Sequence, residues 1–156
     1  MMTLIYLDGL NGINYHRLMT PFLRLKEEEG INIHFIQSLN ELKEYDLSNV
    51  SHLIGSRRFN VSDAKAFKQF LVDNEVKVIL DNDDYWDLPK DNPAYNHYKD
   101  NAQYFIKDSI EIADEIWTPS AYLAERMKKI NPDVVYRIIP NTIYAKEKQW
   151  ADWEKD

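Results

Sequence analysis

The sequence predicts a three-layer, doubly wound α/β domain built on a mainly parallel, Rossmann-like sheet. Short apolar runs rich in β-branched residues recur along the 156 residues, each followed by a polar turn and a helix-like stretch. Most runs are nearly continuous in apolar character, as strands covered on both faces are. Strands that alternate with helices of this length form right-handed βαβ units, and hence a parallel sheet.

The expected strands are Thr3–Leu7, Ile31–Ile36, Ser51–Ile54, Val76–Leu80, Glu115–Thr118 and Val135–Ile139, with the Ser51 run carrying the weakest pattern. Leu18, Phe22 and Leu25 form one helical stripe that stops at Gly30, a suitable residue just past a helix end. Phe67, Phe70 and Leu71 mark a second helix after the Asn60–Asp63 turn. Tyr95, Tyr98, Ala102, Phe105, Ser109 and Ile112 alternate spacings of three and four, which predicts one long helix. Ser120 caps a further helix with Leu123, Met127 and Ile130 inward. One domain is expected over residues 1–143, with 144–156 a helical tail or the start of a linker, where Trp150 and Trp153 stand three apart.

Composition narrows the function. With 19 basic against 26 acidic side chains the net charge is −7, which disfavours wrapping a nucleic-acid backbone. The chain has no cysteine, so disulfide and thiol chemistry are excluded. No apolar run reaches membrane-span length, and Met1–Leu10 is too short for a signal peptide. A cytoplasmic location is the expectation.

In open parallel sheets the ligand crevice lies beyond the C-terminal strand ends. Two loops there carry chemistry. The first, Asp8 to Arg17, holds Gly9 and Gly12 and can expose backbone N–H groups to an anion, with Arg17 as a bidentate phosphate contact. It is neither a dinucleotide fingerprint nor a P-loop, and a plain structural turn explains its glycines equally well. His16 alone reads as a surface histidine. The second loop places Asp81, Asp83, Asp84, Asp87 and Asp91 within eleven residues at a strand end. Carboxylates so close repel and raise one another's pKa. They suit a general base, a Mg²⁺ or Mn²⁺ site, or sugar recognition with Tyr85 or Trp86 as an apolar face. A solvated acidic loop anchored by Trp86 and Leu88 is the bland reading. Arg57 and Arg58 end the third strand and can pair with those acids or meet an anionic ligand; internal pairing is the simpler expectation. Ser120 reads as a cap rather than a nucleophile, since no G-x-S-x-G elbow surrounds it. His34, His52 and His97 lack metal-ligand spacing.

Four stretches, in order, resemble the N-terminal domain of two-Rossmann-domain glycosyltransferases (the GT-B type, family-4-like). They are Gly12–Leu18, Val78–Pro89, Ala113–Ala124 and Val135–Ile143. The resemblance implies the acceptor-side half of an enzyme that moves a sugar from a nucleotide-sugar donor to a hydroxyl acceptor. It puts Asp83 or Asp84 near the reacting groups. Gly12, Tyr15, His16 and Arg17 would approach donor and acceptor, with Arg57, Tyr85 and Ser120 along the crevice and Asn141 at the exit toward a second domain. No metal and no cofactor are expected on this domain alone; the partners are the sugar donor, the acceptor and a missing C-terminal domain or partner protein. Asn141-Thr142 departs from the family's usual Asn-Gly, and no donor-binding domain with its paired glutamates is present in these residues. Two alternatives stand beside this reading. One is a metal-dependent sugar-nucleotide or phosphoryl enzyme using Asp81 and Asp83. The other is a non-catalytic protein-binding domain that keeps the fold.

Overall fold

The computed structural model describes residues 1–99 and 101–141. The expected tail, Tyr144–Asp156, lies outside them, as do Thr142 and Ile143. Six strands form one sheet: β1 (Met2–Tyr6), β2 (Ile33–Ile36), β3 (Val50–Ser56), β4 (Lys77–Asp81), β5 (Glu115–Thr118) and β6 (Val135–Ile138). Their order is β2-β1-β3-β4-β5-β6, with every neighbouring pair parallel. The chain steps outward from β1 in one direction to β2, then returns across it to β3, so the topological switch lies between β1 and β3.

Helices cover both faces, which is why the strands read as unbroken apolar runs. Along β1 and the residue after it, Leu4 and Tyr6 enter one core cluster while Ile5 and Leu7 enter the other. The larger cluster packs against α2 (Ala64–Asp73), α4 (Asn101–Ile112) and α5 (Ala121–Met127) through Leu71, Ile106, Ile110, Leu123 and Met127. The smaller cluster meets a π-helical turn at Asn14–Met19 and α1 (Thr20–Glu29), through Leu18, Met19 and Phe22. Each aliphatic side chain buried this fully contributes about 1.5–3 kcal/mol.

Boundaries follow local chemistry. Gly30 closes α1 at φ 66°, a left-handed conformation that glycine adopts without steric cost. The side chains of Asp63 and Ser120 accept the N–H groups of Ala66 and Leu123 and so cap α2 and α5. The run expected as one helix from Tyr95 to Ile112 is divided between α3 (Tyr95–Tyr98) and α4. Apolar spacing keeps the same face inward in either arrangement, so it does not distinguish them. The β2–β3 connection holds 3₁₀ turns at Leu39–Glu44 and Leu47–Asn49, the first opened by a reciprocal Ser38–Glu41 capping box. No helix among the described residues is long and apolar enough to cross a membrane.

Candidate functional site at the C-terminal strand edge

The parallel sheet brings every loop singled out above to one edge. Ser56 and Asp81 are register partners at the ends of β3 and β4, and Asp81 is in register with Trp117 on β5.

The first loop is held by Asn14, a buried residue that sequence reasoning passed over. Its amide donates to Asp8 Oδ1 at 3.0 Å and to the Gly9 carbonyl at 2.7 Å, while its own N–H is accepted by Asn11 Oδ1 at 2.9 Å. Gly9 and Gly12 remain exposed at the rim. Tyr15 is 40% exposed and makes an edge contact with His16, ring centroids 5.1 Å apart.

The π-helical turn then carries Arg17 across to the acidic turn. Its Nε donates to Asp81 Oδ2 at 2.7 Å and its Nη2 to Asp81 Oδ1 at 2.5 Å, a bidentate pair whose side chains are 7% and 2% exposed. Nη1 also donates to Asn141 Oδ1 and, at 3.4 Å, to the Ile139 carbonyl. One guanidinium thus links the first loop, the end of β4 and the end of β6. Arg17, which follows the glycine turn, is bonded to the first residue of the aspartate turn and is thus engaged by the protein itself. Asp81 keeps Arg17 charged against the cost of burial; burial pushes the Asp81 carboxyl up, and Arg17 opposes that.

The second half of the site is built on Arg57. It sits at φ 61°, a left-handed conformation costing a side-chain-bearing residue about 1 kcal/mol. Its N–H donates to the Asp81 carbonyl at 2.7 Å, which holds the turn. The guanidinium pairs with Asp84 through Nη2 and lies 3.8 Å, Nε to Oδ1, from Asp83. Arg58 reaches Asp8 at 3.5 Å. Both arginines therefore meet acids of the protein, as the simpler expectation had it. Tyr98 Oη lies 3.5 Å from Asp84 Oδ2. Tyr85 is half-buried between Trp86 and Tyr122, at centroid distances of 5.5 and 6.2 Å, with Arg126 over its ring at 5.7 Å. Trp86 is 3% exposed and anchors the loop from within, which leaves Tyr85 as the ring nearer solvent. Ser120 Oγ accepts the Leu123 N–H at 3.3 Å and serves as a cap.

Several polar atoms of this edge are buried without a protein hydrogen-bond partner: Ser56 Oγ, Thr118 Oγ1, and the Oδ1 atoms of Asn14, Asn82 and Asp83. Buried polar atoms normally find partners, so each of these is an exception. Ser56, Asn82 and Thr118 carry a weak sequence signal, each being a polar residue closing an apolar strand. Among the described residues no three His, Asp or Glu side chains converge as a metal-holding group. Asp81, half of the Asp81-x-Asp83 metal alternative, has both carboxylate oxygens on Arg17.

No protein-family model matches the chain, and no curated protein matches it. The fold is Rossmann-like. Such a domain is compatible with nucleotide-binding enzymes in general, and its chemistry must be argued from the site.

Asp83 is, with Asp81, one of two carboxyls there raised above the usual range. Burial, and next the neighbouring Asp84, push its carboxyl above the usual range, against the pull of Arg57. An acid with a raised native pKa binds more protons folded than unfolded. Stability therefore falls as pH climbs from about 4 through the native value. Asp83→Asn is expected to be more stable than the parent at pH 7 by about 1 kcal/mol. The gain should vanish below about pH 4. Thermal melts of both proteins from pH 3 to 8 check this; an unchanged difference across that range would show that Asp83 bears no burial cost.

Proposed function

We propose that this domain is the acceptor-side half of a glycosyltransferase that moves a sugar from a nucleotide-sugar donor to a hydroxyl acceptor. The observation that carries the reading is Asp83: a largely buried carboxylate of raised pKa whose Oδ1 has no hydrogen-bond partner, on the sheet edge where the glycine loop also lies. A base of that kind is suited to accept a hydroxyl proton, because its pKa lies nearer the working pH than that of a free carboxylate. Asp84 and Arg57 orient it, Tyr85 offers an apolar face to a sugar ring, and the exposed rim of Gly12, Tyr15 and His16 faces the donor. Arg17 acts as a positioning residue, since its charge already serves Asp81. Asn141 stands where the chain leaves the sheet, bonded to Arg17.

Closing a cleft against a second domain aligns donor with acceptor and excludes water. The chain of 156 residues is accordingly expected to bind an acceptor sugar weakly and to transfer almost nothing alone. Amide-resolved NMR titration with a panel of mono- and disaccharides tests the first part. Shifts should gather at Gly12, Asp83 and Tyr85, and Asp83→Asn should lose them. Turnover by the isolated chain at an ordinary enzyme rate, about 1–10³ s⁻¹, would sink the half-enzyme reading. Absence of any saccharide response would sink the sugar.

A further inference from the structure

A second pocket lies at the C-terminal sheet edge, apart from the Arg17 and Asp83 cluster. Its volume is about 480 Å³, within the range of small-molecule sites. Four segments line it: Tyr6 at the end of β1, Gln37–Asn40 after β2, Asn60–Asp63 between β3 and α2, and Phe67 on α2. By sequence Asn60–Asp63 is a plain turn before a helix. The sheet sets that turn beyond the carboxyl ends of β1 and β3, the switch point where open parallel sheets take ligands. None of the residues given a part in donor, acceptor or proton-transfer work lines this pocket.

Its chemistry is uncharged. No Lys, Arg or His is among the lining residues, and the one acid, Asp63, accepts the Ala66 N–H as the α2 cap. A phosphate approaching that helix N-terminus would meet a carboxylate in place of free N–H groups. A lone carboxylate already used as a cap is also a poor seat for a hard cation, which asks for several oxygens. What remains are groups that both donate and accept: the amides of Gln37, Asn40 and Asn60 and the Ser62 hydroxyl. Asn60 Nδ2 donates to Tyr6 Oη at 3.3 Å, and burial pushes the phenol above its usual range, so Tyr6 keeps its proton at neutral pH. No hydrogen bond among the described residues uses that O–H as a donor. Tyr6, only 5% exposed, thus holds an unused donor against the pocket.

We propose that this pocket binds a neutral saccharide ring. Sugar hydroxyls donate and accept as the amides do, and the C–H faces of the ring need apolar surface, here Leu39, Val61 and Phe67. The Tyr6 O–H is the anchoring donor. Its ring is fixed by Phe59, 5.9 Å away and 20° from parallel, so no rotamer freedom is lost there on binding. The proposal does not rest on the transferase reading, because Asp83 and Gly12 take no part in it.

The test is an amide-resolved NMR titration of the full chain with methyl glucoside, methyl galactoside and methyl mannoside, with glycerol and AMP as controls. At least one glycoside is expected to shift the Gln37, Asn40, Asn60 and Ser62 amides saturably, with a Kd of about 1–10 mM. Tyr6→Phe keeps the ring and its stack and removes only the O–H; affinity should fall about fivefold. Asn40→Ala with Ser62→Ala alters two exposed side chains and should leave thermal melting unchanged. That double variant should bind about tenfold more weakly. Asp83→Asn should keep the response at these four amides, so the two sites stand or fall separately. A response confined to the four amides supports the pocket and leaves Asp83 without a sugar. No saturable shift at them overturns the proposal, as does unchanged affinity in both the Tyr6 variant and the double variant. An equal response to glycerol overturns it as general polyol solvation, and a stronger one to AMP as an anion site.

Discussion

Arg17→Met is expected to lower the free energy of unfolding by about 3–5 kcal/mol, the cost of stranding a buried charge. The magnitude follows from asymmetry. Asp81 is 2% exposed and both its oxygens are satisfied by Arg17. Removing the guanidinium leaves a desolvated carboxylate with nothing to replace it, whereas removing both partners leaves an apolar site. Arg17→Met combined with Asp81→Leu should therefore recover most of the loss, and denaturant melts of the four proteins of the cycle report the coupling. The single variant also carries a pH signature. Without Arg17 the burial of Asp81 is unopposed and its native pKa rises further above the unfolded one. The deficit is then present in full at neutral pH and shrinks as pH falls toward about 4, where both states are protonated. A loss of under about 1 kcal/mol that is flat with pH would place the pair in the class of solvent-screened ion pairs.

Gly55→Ala is expected to cost about 1–3 kcal/mol by overpacking and to disturb the site from beneath. A Cβ at Gly55 would stand 2.5 Å from Phe59 Cε1 and 2.7 Å from Cζ. The ring has no room to retreat. Phe59 is fully buried, stacks with Tyr6 at 5.9 Å, meets Phe67 in a tilted contact at 6.1 Å, and donates its N–H to Ser109 Oγ at 2.7 Å. Relief must come through the Ser56–Phe59 turn, which carries Arg57 in its left-handed conformation. The Arg57–Asp84 pair is then expected to loosen, visible as shifts of the Arg57, Asp83 and Asp84 amides. Gly55→Ala with Phe59→Leu should be less destabilised than the sum of the two single changes. Strict additivity would mean that the ring yields freely.

That glycine also explains why β3 runs past its apolar pattern. The Ser51 run looked like four residues of strand because Gly55 and Ser56 read as the start of a turn. It is the seven-residue β3, paired on both sides, and it continues through Gly55 because Phe59 folds over the position where a side chain would stand. Pattern registers polarity and size along the chain; it does not register a ring returning from four residues downstream. Elsewhere the strands lie within two residues of their expected ends, and the Gly30 and Ser120 helix boundaries match. In each of those places the deciding interaction is local.

The candidate site divides along the same line. The sequence by itself determined that five aspartates follow a buried strand, that glycines follow the first one, and that both loops meet the same sheet edge. Composition, β-branched runs and parallel topology suffice for that, because each depends on neighbours a few residues apart. Only the tertiary structure decided that Arg17 reaches across 64 positions to close on Asp81, that Arg57 takes Asp84, and that one oxygen each of Asn14 and Asp83 is buried without a hydrogen-bond partner. Which charges neutralise one another, and which oxygens stay without a partner, depends on distances of a few ångströms between segments remote in the chain.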